Sequence, residues 1–361
     1  MSMNYYNKKC LGCGQFFSKD ENSPSYVAKP NETTKYCKRC FQLKNYGILN
    51  NENVDNSLIE KTLKEIDFKL GSIILVVDLF DVKNSLIPMF KDNEKVLLAV
   101  NKIEFFKPLR KTYKIIHSIT EYIRKLGWNQ EIVFYDSVNK FKINAIDSWI
   151  KKENKCKRKV YIAGNTNVGK SSLINALLAY NKKEPILSVS SIKNTTLNLS
   201  KINLDKGVDV IDTPGFMNES NFLSIIDSCK KINFKKLAFK NFALKDDNQV
   251  FFVENIFKVV CNELIKDYSS SIQFLLPDNF SIHRTALKNA SKIESKKKEM
   301  FEINLLKNIE TKEFSFNNLK PDAKYTVFLN GIGMMSIKNV SKISMIFPKH
   351  FEVNLLEISF I

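Results

Sequence analysis

Eight consecutive residues, Gly164-Asn165-Thr166-Asn167-Val168-Gly169-Lys170-Ser171, fit the pattern Gly-x4-Gly-Lys-Ser/Thr. Their chemistry is phosphate binding. Successive backbone N–H groups and a helix N-terminus, from Gly164 to Ser172, can wrap the phosphates of a nucleotide. Lys170 is expected to bridge the β and γ phosphates, and the Ser171 hydroxyl to sit on Mg²⁺. A chance Gly-rich turn would ask for no particular neighbours. Here Lys159 to Ala163 alternates and is β-branched, which predicts a strand, and Ser172 to Leu178 predicts a helix. Strand, loop and helix are the setting this chemistry needs.

Three further polar loops follow apolar runs. Asn101-Lys102-Ile103-Glu104 ends the run Lys95 to Val100. Asn-Lys-x-Asp reads guanine, because its carboxylate accepts from N1–H and the exocyclic amine, which adenine cannot mirror. Asn101 then ties the base site to the phosphate loop, Lys102 covers the ring, and Glu104 stands in the carboxylate position. Asp212-Thr213-Pro214-Gly215 fits Asp-x-x-Gly, with Asp212 near Mg²⁺ and the Gly215 N–H on the γ-phosphate. Thr195-Thr196 precedes it where a switch threonine reaches Mg²⁺, and Thr196 is preferred. Ser137-Val138 sits where a last base-binding loop belongs. These residues give the expected set: catalytic Lys170, Ser171, Thr196, Asp212, Gly215 and Asn167, with Ser171, Thr196 and Asp212 as magnesium ligands.

The elements that must position these loops are legible. Ser72 to Val77 is a buried-strand run ending at Asp78-Leu79-Phe80-Asp81. A helix is expected over about 108–126, a strand over Ile132 to Tyr135, and a hairpin from Asn198 to Ile211 turning at Lys206-Gly207. Strands alternating with helices, each strand ending in a polar loop, predict a doubly wound α/β sheet with its site at the strand C-termini. Leu58, Ile59, Leu63, Ile66 and Leu70 recur near a 3.6 period and predict a linking helix over 51–70.

The N-terminal residues carry different chemistry. Cys10, Cys13, Cys37 and Cys40 form Cys-x2-Cys, a 23-residue spacer and Cys-x2-Cys. Four thiolates close a tetrahedral Zn²⁺ site and leave no position for water, so the expected role is structural. Arg39, Lys38 and Lys44 surround the second pair, with Phe41 and Tyr46 between them, which suits RNA phosphates and bases. Phe41 and Leu43 can equally pack a miniature core.

The chain has 361 residues and a net charge of +18, which points to a polyanionic partner. Of 56 basic residues 51 are Lys, so a Lys-raising codon bias explains part of that charge. Counted along the chain, residues 1–50 carry +5, residues 51–221 carry +7 and residues 222–361 carry +6. The first segment is the densest, and a basic N-terminal module survives the correction. No apolar run of about 18 residues occurs, so no membrane span is expected. The polar start, Met1 to Lys9, has no signal-peptide pattern, and a cytoplasmic protein is expected. Residues 222–361 hold alternating runs and a Lys-rich stretch near 286–300, which predicts an α+β domain. Arg284, one of only five Arg, suits phosphate recognition or a structural ion pair.

The motif order is unusual. Most GTPases run phosphate loop, switch threonine, Asp-x-x-Gly, then Asn-Lys-x-Asp. Here the base-reading loop comes first, which makes the chain a circular permutation. It resembles the YqeH family of circularly permuted GTPases on several segments. These are Cys10-Leu11-Gly12-Cys13-Gly14 with Cys37-Lys38-Arg39-Cys40-Phe41, Val76-Val77-Asp78-Leu79-Phe80-Asp81 before Ile87-Pro88, the phosphate loop, and Ile282-His283-Arg284-Thr285 with Leu287, Asn289 and Ala290. Gly331-Ile332-Gly333 and Phe347-Pro348-Lys349 resemble later segments.

The resemblance implies an N-terminal treble-clef-like zinc finger over 1–50, a permuted P-loop GTPase domain over 51–221 and a C-terminal α+β RNA- or ribosome-binding domain over 222–361. It implies GTP and GDP, Mg²⁺, Zn²⁺ and K⁺ as cofactors, with Asn167 holding K⁺. It implies a slow, potassium-stimulated GTPase in small ribosomal subunit assembly that docks on ribosomal RNA, a monomer with no DNA or membrane partner. The alternative is a non-catalytic RNA-binding scaffold or guanine-nucleotide sensor. Departures from the pattern are Glu104 for Asp, Lys193-Asn194 before Thr195, Val138 for Ala, and Met334 where Trp is usual. Phe216 after Asp-x-x-Gly stands where Ras-like enzymes place Gln.

Overall fold

The computed structural model describes residues 5–10, 15–21, 23, 25–38, 41, 71–106, 112–184, 199–216, 218, 220–227, 232–234, 236–306, 309–349 and 351–358. The linking helix expected over 51–70 lies outside these residues, as do Cys13, Cys40, Thr195 and Thr196. By contacts the chain divides into two compact units, 1–110 with 120–218, and 111–119 with 219–361.

The first unit is built on a six-stranded sheet. Its strands are β1 (Ser72–Asp78), β2 (Val96–Asn101), β3 (Glu131–Phe134), β4 (Val160–Ala163), β5 (Ser200–Asp205) and β6 (Val208–Asp212). The order across the sheet is β3-β2-β1-β4-β6-β5. All pairings are parallel except that of the β5–β6 hairpin. Every residue of β1, β2 and β4 is buried, the continuous apolar pattern of strands covered on both faces. Registers Asp78↔Asn101 and Ile162↔Asp212 bring the strand ends to one edge. Chain order runs outward from β1 to β3 and then resumes beside β1 with β4. The crevice between β1 and β4 is therefore the topological switch point, where an open α/β sheet binds its ligand.

Helix Ile143–Lys155 buries Ile143, Ile146 and Ile150, a 3–4 residue stripe, in the core that holds Leu173, Ile174 and Leu177 of helix Lys170–Tyr180. The expected helix near 108–126 is observed over Thr112–Lys125. The doubly wound sheet read from the sequence is thus present, with β3 displaced by one residue from the expected run.

Most regular elements among the described residues of 219–361 are strands. Among the described residues one sheet has the order β13 (Lys324–Phe328), β14 (Met334–Lys338), β10 (Ser270–Pro277), β7 (Leu237–Leu244). The other has β11 (Ile282–Ala286), β8 (Gln249–Val253), β9 (Phe257–Leu264), β15 (Val340–Pro348), β12 (Thr311–Phe316). Both sheets feed one core that includes Phe251, Phe257, Phe274, Met335 and Phe347. The helical share expected here reduces to Ala290–Met300, after a 3-10 turn at Leu287–Asn289. Arg284 is exposed on β11 with its guanidinium 5.9 Å from the Phe251 ring centroid, and among the described residues it makes no ion pair. No described helix is long and apolar enough to cross a membrane.

Candidate functional site

The phosphate loop follows β4 and opens helix Lys170–Tyr180, so its backbone N–H groups crown the helix N-terminus. Asn167 has φ 66° and Gly169 φ 102°, the left-handed turns that fold the loop back over itself. Glycine at 169 has a second cause. A Cβ there would overlap Asn101 Nδ2, and Asn101 Nδ2 donates to the Val168 carbonyl at 3.1 Å. Asn101 thus ties the loop that follows β2 to the phosphate loop. Its Oδ1 is buried with no hydrogen-bond partner among the described residues.

Lys170 is buried, and its Nζ donates to the Gly164 and Asn165 carbonyls, each at 2.9 Å. Burial pushes its pKa down to about 8, with the Asp212 carboxylate opposing that shift. Asp212 ends β6, fully buried. At Gly215 a Cβ would lie 2.8 Å from Thr166 Cγ2 and 3.0 Å from Lys170 Nζ, so only glycine lets the Asp-x-x-Gly loop close on the phosphate loop. Phe216 then pairs with that loop in both directions. Thr166 N donates to the Phe216 carbonyl at 2.9 Å, and Phe216 N donates to the Gly164 carbonyl at 3.2 Å. The Phe216 ring meets Phe90 edge-on at 5.7 Å. A hydrophobic residue at 216 therefore anchors the loop, where Gln would direct a water.

In the loop after β2, Lys102 has φ 74°, and its ammonium lies 2.7 Å from Asp78 Oδ2 and 5.4 Å from the Phe80 ring centroid. Glu104 sits in a 3-10 turn, Ile103–Phe106, held by the fully buried Ile103 and Phe106. The Tyr135 hydroxyl is buried nearby, and burial first, then the charges of Glu104 and Asp78, raise its pKa well above the usual phenol value. Asp136 organises the last loop: its Oδ1 accepts from Val138 N at 2.8 Å and Asn139 N at 2.9 Å. The Val138 backbone donor is thereby engaged within its own loop, and its side chain is exposed.

Lys170, Asp212, Gly215, Asn101 and the phosphate loop are brought together. Thr196 lies outside the described residues. Cys10 and Cys37 are both buried, and Cys37 N donates to Cys10 Sγ at 3.2 Å, which juxtaposes the first and third expected zinc ligands. The other two cysteines lie outside the described residues, and among those described no group of three or more His, Cys, Asp or Glu could hold a metal. Sequence reasoning gave no role to Asp81, Asn84 and Asn218, which hydrogen-bond around this site. Asp81 carried a signal in the segment after β1; Asn218 carried none.

The chain is similar to known GTPases. A family model described as 50S ribosome-binding GTPase matches residues 159–273, starting one residue before β4. The Asn-Lys-x-Glu run at 101–104 lies upstream of that match, as the permuted order requires. YqeH of Bacillus subtilis is 28% identical over 306 residues, covering 80% of this chain and 80% of the relative. GTPase Der of Karelsulcia muelleri is 26% identical over 255 residues, covering 61% of this chain and 56% of the relative. The crystal structure of GNP-bound YlqF from T. maritima superposes with a TM-score of 0.31 at 18% identity, covering 45% of this chain and 60% of that one.

Proposed function

We propose that the chain is a YqeH-type GTPase, a slow switch whose nucleotide state governs docking on the small ribosomal subunit and its ribosomal RNA, a reading supported by its similarity to YqeH and to the GTPase family model. The observation that carries the reading is one cluster. Lys170 is buried between two loop carbonyls, Asp212 is close enough to shift its pKa, and Gly215 is closed against it. That cluster suits a β,γ-phosphate pair. Ser171, Thr196 and Asp212 would hold Mg²⁺, which would neutralise phosphate charge. Glu104, with Asn101, Lys102, Ser137 and Val138, would read the base. The proposed organisation is a zinc module over 1–50, a GTPase domain over 51–221 and a ribosome-binding domain over 222–361.

The test is GTP turnover, with and without ribosomal subunits, and co-sedimentation in GTP against GDP. Both subunits belong in the assay, since the matched family model is described by the 50S particle. Small-subunit binding that differs between nucleotides is expected. Binding to the large subunit alone would overturn the choice of partner.

Potassium is part of the proposal. The loop after Asp212 carries Phe216 where Gln would stand, and the first unit's described arginines, Arg124 and Arg158, donate to Trp128 and Gln130 carbonyls and to Glu153. Transition-state charge therefore needs another positive group. Asn167, half-buried with φ 66°, is placed to help hold K⁺. Turnover is expected to rise about tenfold in K⁺ over Na⁺, a barrier change of about 1.4 kcal/mol. Asn167→Ala should remove that gain; equal rates in the two salts would refute it.

The zinc module is supported by the Cys37 N–H on Cys10 Sγ, which brings the first and third cysteines of the motif together. Protein purified under reducing conditions should carry one zinc per chain. Chelation should melt the first 50 residues and leave the GTPase domain folded, because small zinc modules take their folding energy from the metal. Metal analysis that finds no zinc would end this claim.

A further inference from the structure

The segment from the end of β1 to Ser85 touches three parts of the proposed nucleotide site. Asp78 holds Lys102 of the base-reading loop at 2.7 Å. The Asn84 carbonyl accepts from Asn165 Nδ2 of the phosphate loop at 2.7 Å. Asp81 reaches the third part: its Oδ2 accepts from Asn218 Nδ2 at 2.9 Å, while its Oδ1 accepts from Asn84 Nδ2 at 2.7 Å. Asn218 lies three residues beyond Gly215. Asp81 is 2% exposed and Asn218 9%.

From this geometry we propose that Asp81 is a positioning residue for the γ-phosphate response, acting through Asn218 on the Asp-x-x-Gly loop. The inference rests on the GTPase reading above. Asp81 is a buried carboxylate with an amide donor on each oxygen, and hydrogen bonds to a charged acceptor are the strong ones. One donor is fixed to the phosphate loop through the Asn84 carbonyl; the other ends the loop that carries Gly215. The carboxylate thus spans the part of the site that keeps its place on the phosphates and the part that answers to the γ-phosphate. Between Phe216, stitched to Gly164 and Thr166, and Asn218, held by Asp81, the loop is fastened at two points. GDP lacks the group this loop senses, so Asp81 sets the response to GTP and leaves GDP affinity alone.

The polarity of the bond supplies the test. Asp81→Asn places an amide NH₂ against the Asn218 NH₂. Asn218→Asp places two carboxylates face to face. The double variant, Asp81→Asn with Asn218→Asp, restores the bond with donor and acceptor exchanged, and the carbonyl of the new amide still faces Asn84. The full-length chain is assayed for GTP turnover and for binding of a fluorescent GDP, with thermal melts alongside. Each single variant, and Asn218→Ala, is expected to lose about 10- to 100-fold in kcat, the range for a buried hydrogen bond to a charge. Affinity for GDP should stay within about threefold, and the double variant should recover most of the lost turnover. Single variants that turn over GTP at the wild-type rate overturn the proposal. So does a double variant no faster than the better single, or a loss of thermal stability with kcat per folded molecule unchanged. Failure of the GTPase reading itself is separately visible, as wild type that turns over no GTP.

Discussion

Lys170→Ala and Lys170→Met lose tight nucleotide binding, by about 100-fold or more, while the Met variant keeps or gains thermal stability. The ammonium sits among backbone carbonyls in a buried position and is short of water. Two charge-assisted bonds to phosphate at about 1.5–3 kcal/mol each account for that loss. Met keeps the aliphatic volume and removes the buried charge, so its folding no longer carries the desolvation cost. The pH dependence gives an independent reading. With a pKa of about 8 in the empty site, Lys170 is charged below pH 8 in both empty and loaded protein, and affinity is flat there. Above pH 8 binding must take up a proton, and affinity falls by up to about tenfold per pH unit. The sign for folding is opposite. Between 8 and the usual lysine value the unfolded chain binds more protons, so the empty protein gains stability with rising pH. Nucleotide affinity within a few-fold of wild type for both variants would remove the phosphate-loop assignment.

Guanine is preferred over adenine by the wild type, Glu104→Asp sharpens that preference, and Glu104→Ala abolishes it. A site built on hydrogen bonds can reject the wrong base by as much as about 10⁴-fold. In the proposed site the base donors would meet one carboxylate, and the phosphate loop contacts would be common to GTP and ATP. The Ile103–Phe106 turn is pinned by two buried side chains, so the turn cannot shift to absorb the extra methylene of Glu. The carboxylate must fold back, which strains the paired contact without removing it. The Val138 N–H is engaged by Asp136, so it gives little alternative grip on the base. Competitive binding of GTP and ATP to the three proteins measures this. Equal affinities in the wild type would leave a nucleotide switch of unknown base.

The α/β half of the fold was legible because its signals are local. Ser72–Asp78 and Val96–Asn101 are unbroken apolar runs ending in polar residues, which describes strands buried on both faces. The phosphate loop, Asn101 and Asp-x-x-Gly were legible for the same reason: backbone geometry and phosphate chemistry restrict the residue types at fixed spacings. The second unit was less so. Alternating runs such as Val250 to Val253 announce strands, but nothing local says that β15 lies between β9 and β12, or that two sheets share one core. Antiparallel pairing over long separations depends on which faces meet.

The sequence by itself determined the motifs and their permuted order: the phosphate loop, the Asn-Lys-x-Glu run ending at Glu104, and the Asp-x-x-Gly run from Asp212 to Gly215. Tertiary structure alone decided how those loops are fastened to one another. Asp81 and Asn218 are 137 residues apart in the chain and 2.9 Å apart in the fold. A hydrogen bond between them leaves no periodicity and no spacing in the sequence, because it depends on two loop ends meeting at the edge of one parallel sheet. The lowered pKa of Lys170 is decided in the same way, since burial is a property of everything packed around the side chain and not of the residue itself.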